Sequence, residues 1–85
     1  MIEIAKCESH LRQWVDGKVL AGIVNPKDRG LFQLNAFYHK EAALKMGLDI
    51  ETAEGNIAYA KHLYENEGTR PWDASKKCWK PLAPN

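Results

Sequence analysis

Eighty-five residues hold one hydrophobic core and leave no room for a second, so residues 1–85 read as a single domain. Twelve Lys and Arg against 11 Asp and Glu give a net charge of +1, which lacks the phosphate-neutralising surplus of a dedicated nucleic-acid binder. With 45% hydrophobic and 27% charged residues and no apolar run near the ~20 residues of a membrane span, the composition is that of an ordinary globular chain.

The first element in the chain is a helix. Ile4, Leu11 and Val15 recur at helical spacing with Trp14 beside them, and Asp16-Gly17 supplies a stop, so the pattern predicts a helix over residues 2–15. Residues 16–34 change character. Val19, Leu20, Ile23 and Val24 lie among Gly17, Gly22, Asn25-Pro26 and Gly30, which reads as loops with one short hairpin, too long to be a mere connection. Asn35 is placed to cap a second helix ending near Met46, where Gly47 suits a left-handed terminal residue. Thr52 caps a third helix that runs to about Glu67 and ends at Gly68; Ala53, Ile57, Ala60 and Tyr64 share the face expected to be buried, and Gly55 weakens the first turn. Arg70-Pro71 breaks the chain. A short helical turn then starts near Asp73 and includes Cys78 and Trp79, and residues 80–85, with Pro81 and Pro84, form a tail expected to fray. The fold class is therefore mainly α, with an irregular segment or short hairpin after the first helix.

Two features carry chemistry. Glu8 lies four residues after Ile4 and three before Leu11, which places its carboxylate in or beside the apolar stripe of the first helix. In the stripe, desolvation raises its pKa and lets it act as a general acid; at the edge, it reaches solvent or pairs with Arg12 at i+4. Spacing alone leaves both open. Cys7 and Cys78 stand 71 residues apart near the chain ends, either bridged, as an oxidising compartment permits, or both free. So short a chain buries little more than roughly 60% of its unfolded surface, and a bridge would add about 4 kcal/mol in the chain-entropy model. His10, His39 and His62 with two distant cysteines show no metal-ligand spacing, and no cofactor motif is present. The opening Met-Ile-Glu-Ile has neither the basic nor the apolar region of a secretory signal.

Cys7-Glu8-Ser9, then Gly30-Leu31-Phe32-Gln33-Leu34, then Asn56-Ile57 resemble in order and spacing the successive motifs of the soluble-type lytic transglycosylase domain and its lysozyme-like relatives. The same start with the ending Gly68-Thr69-Arg70-Pro71-Trp72 and Cys78-Trp79 is similar to the resuscitation-promoting-factor domain; together the resemblances cover about residues 2–79. They imply a small lysozyme-like fold with Cys7 joined to Cys78, and peptidoglycan glycan strands as the partner of a monomer outside the cytoplasm or carried by a phage. They imply that Glu8 is the catalytic acid, cleaving between N-acetylmuramic acid and N-acetylglucosamine. Ser9 and Gln33 match substrate-site positions, the Gln33 amide facing an N-acetyl group, and Gly30 would let the backbone approach the sugar.

The chain departs from the pattern at two points. Tyr38 stands where a threonine is usual, and the C-terminal Ala-Tyr-Asn motif is missing, so Tyr59, Tyr64 or Tyr38 would have to take over its tyrosine. Trp14, Trp72 and Trp79 offer sugar-stacking surfaces, with at least two of them expected in the core. A lone glutamate suits a lytic transglycosylase, in which the muramoyl 6-hydroxyl of the substrate replaces water. A hydrolytic lysozyme (muramidase) needs a second carboxylate, Asp28 before Asp16, although Asp28 reads more simply as a turn residue pairing with Arg29. A module that binds the wall without cutting it is the third possibility.

Overall fold

The structure, a computed structural model describing residues 1–82, places α1 over Ile2–Ser9 only. The helix expected over residues 2–15 thus ends six residues early. The Ser9 hydroxyl turns back to donate to the Ala5 carbonyl (3.0 Å) and accepts from the Arg12 amide (3.2 Å), and His10 and Leu11 take left-handed conformations, φ 54° and 62°. Leu is a residue for which positive φ is uncommon, so composition gives no warning of this break. Residues 14–19 instead form a hairpin: β1 (Trp14–Val15) pairs with β2 (Lys18–Val19) across Asp16-Gly17, whose φ values of 53° and 77° fit the two-residue turn that Asp-Gly favours. Asp16-Gly17 ends a strand rather than a helix.

The irregular segment holds a second hairpin. β3 (Asp28–Arg29) pairs with β4 (Leu34–Asn35), and an Ala21–Arg29 bridge ties the two hairpins together. α2 (Ala36–Lys45) begins as expected, with the Asn35 side-chain oxygen accepting from the Tyr38 amide at 3.3 Å, and Gly47 follows at φ 77°. α3 (Ala53–Glu67) is capped by the Thr52 hydroxyl, which accepts from the Gly55 amide at 3.0 Å, and closes at Gly68.

The buried face of α3 differs from the expected one. Asn56, Tyr59, Ala60 and Leu63 face inward, whereas Ile57 and Tyr64 are about half exposed. A polar residue sets this rotation: Asn56, fully buried, accepts from the Phe32 amide (2.9 Å) and donates to the carbonyls of Arg29 (2.9 Å) and Ile50 (2.8 Å). Gly55 is required at its position because any β-carbon would collide with the Asp49 carbonyl, so close packing outweighs the ~1 kcal/mol helix penalty of glycine.

The chain closes through a 3₁₀ turn (Arg70–Ser75), α4 (Lys76–Trp79) and a further 3₁₀ turn over Lys80–Leu82. Of the expected frayed tail, Lys80–Leu82 form this last 3₁₀ turn, and residues 83–85 lie outside the described residues. Cys7 and Cys78 are joined, with Cα atoms 5.9 Å apart, which pins α4 to α1. The core gathers Ile4, Ala5, Phe32, Leu34, Ala43, Ile50, Tyr59, Ala60, Leu63, Trp72 and Trp79. Trp72 packs on Phe32 and donates its indole N–H to the Phe32 carbonyl, and Trp79 donates to the Trp72 carbonyl, both at 3.0 Å. Among the described residues no helix is long and apolar enough to cross a membrane.

Candidate active site

Glu8 occupies the last turn of α1, beside the disulfide, at the junction of two hollows. One, of about 330 Å³, is walled by α1 and the loop from Leu20 to Val24, where the fully exposed Ile23 and Val24 form an apolar lip. The other, of about 160 Å³, is walled by Leu34, Asn35, His39, Leu63 and the Pro71–Trp72 turn. Glu8, Asp28 and Gln33 line both, so the hollows meet at these three side chains.

The surroundings push the Glu8 carboxyl above its ordinary 4.5. Burial is the largest cause, since desolvation penalises the charged form, and the nearby Asp28 carboxylate adds to it; a hydrogen bond from Ser75 acts the other way. Ser75 has one hydroxyl proton, which the Trp72 carbonyl at 3.2 Å also attracts, so its support of the carboxylate is divided. The Arg12 partnership that helical spacing allowed does not form. α1 ends before Arg12, and its guanidinium Nε donates to the Ser9 carbonyl at 3.4 Å.

Asp28 also departs from the turn-with-Arg29 reading. Its side chain faces the groove and accepts from the Asn35 side-chain Nδ2 at 3.1 Å, while Arg29 turns to Glu51. The reason is the strand: successive residues of β3 point to opposite faces, which separates 28 from 29. Asp16 sits in the tip of the first hairpin, outside the groove-lining residues.

Several other candidates also make structural contacts. The Gln33 amide nitrogen donates to the carbonyls of Gly30 (3.0 Å) and Leu20 (3.3 Å), so it clamps the hairpins under the groove and leaves its carbonyl oxygen as the group open to a ligand. Ser9, although beside Glu8, is buried and uses its hydroxyl to end α1. Gly30, at φ 75°, is held where a β-carbon would lie 2.6 Å from the Asn56 amide nitrogen and against Gln13. Gln13 itself donates to Ile50 and accepts from the Leu31 amide, a second side-chain brace on this loop.

Tyr38 is exposed on α2, edge-on to Phe37, and is not among the groove-lining residues. Tyr59 is buried and reaches the groove only through His39, with its hydroxyl 3.2 Å from the imidazole Nδ1. Burial raises the Tyr59 pKa and lowers that of His39 against the opposing pull of Glu67, so a protonated phenol meets a neutral ring at neutral pH. Trp72 and Trp79 are core, as the expectation for at least two tryptophans had it, and Trp14 is about half exposed on the first hairpin. Sequence reasoning missed His39 and Ser75 at the site. Neither stands in a motif, although a histidine on a capped helix facing an adjacent hairpin could have been flagged.

No protein-family model, curated protein or solved structure matches the chain.

Proposed function

We propose that the chain is a lysozyme-like enzyme that cleaves peptidoglycan glycan strands between N-acetylmuramic acid and N-acetylglucosamine, with Glu8 as its acid. The observation that supports this most is a carboxyl, desolvated and next to a second carboxylate, at the point where two hollows join into one groove. A group held protonated in such a place can deliver its proton to a glycosidic oxygen. As the bond to the leaving sugar breaks, positive charge develops at the anomeric carbon and Glu8 becomes a carboxylate. That carboxylate can then accept the proton of the muramoyl 6-hydroxyl as it attacks the same carbon. The attack is intramolecular, which supplies the positional advantage that a bound water would lack. The product end is a 1,6-anhydromuramoyl residue, the outcome of a lytic transglycosylase.

One specific observation favours a second reading. Asp28 lines the same groove as Glu8 and is fixed by Asn35, as a base or nucleophile of a hydrolytic lysozyme would need to be. The disulfide fits an extracytoplasmic setting. Loss of turbidity of a cell-wall suspension, compared between the parent chain and Glu8→Gln, tests the enzyme reading. Clearing by the parent alone is expected. Binding without clearing by either protein would leave a wall-binding module instead.

A further inference from the structure

Behind the groove, on the other face of the second hairpin, lies a separate pocket of about 240 Å³ walled by Lys27, Arg29, Phe37, Lys40 and Glu51. Its charge balance is incomplete. One carboxylate, that of Glu51, is shared by the Arg29 guanidinium at 3.9 Å and the Lys40 ammonium at 3.7 Å, and Lys27 is exposed beside them. The remaining contacts of Arg29 are weak: one terminal nitrogen donates to the Pro26 carbonyl at 3.5 Å, and its buried Nε has no partner. Three cations around one carboxylate leave an excess of positive charge, and the exposed ring of Phe37 closes the pocket with an apolar surface.

We propose that this pocket binds the carboxylates of an acidic peptide, and, taking the glycan-strand reading above as its basis, that the peptide is the stem carried by a muramic acid in the groove. Lys27 and Arg29 flank Asp28 in the chain, and strand alternation turns them to the face opposite the groove. The Ala36 amide, bonded to the Lys27 carbonyl at 2.7 Å, sets the start of α2 against the same strand end, so Phe37 and Lys40 join the cations there while Asn35 and His39 line the groove. One thin hairpin therefore separates the two surfaces. The two surfaces share this hairpin, with Asp28 and Asn35 lining the groove and Lys27, Arg29 and Ala36 lining the pocket. Arg29 and Lys40 already meet on one carboxylate oxygen, Oε2 of Glu51, with Lys27 exposed beside them, so the pocket is built to receive carboxylates. Guanidinium and ammonium donors near an aromatic ring match carboxylates on short aliphatic side chains.

The test uses two substrates, walls with intact peptide stems and the same strands stripped of stems by an amidase, and a variant with the exposed lysines reversed, Lys27→Glu/Lys40→Glu. The parent chain should cleave stem-bearing strands about tenfold better than stripped ones, and the variant should lose that preference while its rate on stripped strands stays within about twofold. Lys27→Ala/Lys40→Ala should shift the preference in the same direction by less. Equal preference in parent and both variants would overturn the proposal. Titration of a soluble acidic stem peptide, and of inorganic phosphate, against the parent and the charge-reversed chain reads the pocket without any cleavage. Peptide binding that the reversal abolishes supports the pocket even if no strand is cut, in which case the glycan-cleavage reading fails alone. Binding of phosphate but not of the peptide overturns the assignment to a peptide.

Discussion

Replacing Asn56 by leucine keeps the buried volume roughly constant and removes all three of its hydrogen bonds. The Phe32 amide and the Arg29 carbonyl lose the Asn56 side chain, whereas the Ile50 carbonyl keeps its bond from Gln13 at 3.2 Å. A buried backbone group left unsatisfied costs about 1–3 kcal/mol, so the variant should be less stable by roughly 3 kcal/mol. A chain of this length has a total stability of only about 4–13 kcal/mol, and the loss should lower the melting temperature by about 15 °C. The control is Ile57→Ala. Ile57 neighbours Asn56 on α3 but is 49% exposed, and truncating it should cost less than about 1 kcal/mol. Urea and thermal melts followed by circular dichroism measure both variants. A drop under about 5 °C for Asn56→Leu, or a larger drop for Ile57→Ala, would refute the reasoning that a polar side chain sets the inward face of α3.

Reduction of the Cys7–Cys78 bridge, which closes a 71-residue separation, should cost about 4 kcal/mol and about 20 °C in melting temperature, measured by calorimetry with and without reductant. Because Glu8 ionises less readily folded than unfolded, the folded state holds the extra proton, and the stability this contributes is full below pH 4.5 and lost as pH rises through the raised folded pKa. Glu8→Gln should remove that slope from a plot of melting temperature against pH. His39 has the opposite sign: its folded pKa lies below 6.5, so its contribution is present above pH 6.5 and lost as pH falls through the folded value, and His39→Gln should flatten the curve on that side.

What the sequence made legible was local. Asn35 with Gly47 and Thr52 with Gly68 delimit α2 and α3 because caps and left-handed terminators act within a few residues. The break after Ser9 was hidden because the residues that turn left-handed there, His10 and Leu11, are not glycines, and the apolar spacing of a helix persists past it. The face of α3 was misread because apolar periodicity cannot register a core position filled by Asn56, whose partners are the backbone of a hairpin 24–27 residues away. At the site, helical spacing put Glu8 near the core side, and the structure brings Asp28 and Gln33 to it. The bond from Gln33 to the Leu20 carbonyl and the presence of Ser75 depend on how the hairpins and the Arg70–Ser75 turn fold beside α1, which no short motif encodes, whereas the Ser9 hydroxyl is engaged locally by Ala5 and Arg12.

The most direct measurement of the central claim is mass spectrometry of the soluble fragments released from peptidoglycan by the parent chain and by Glu8→Gln. The account predicts 1,6-anhydromuramoyl ends from the parent, each lighter by one water than a hydrolysed end, and no release by the variant. Dominant reducing ends would move the reaction to hydrolysis and make Asp28 the next residue to replace. Fragments released equally by the Gln variant, or none released by the parent, would contradict the assignment of Glu8 as the acid of a glycan-cleaving enzyme.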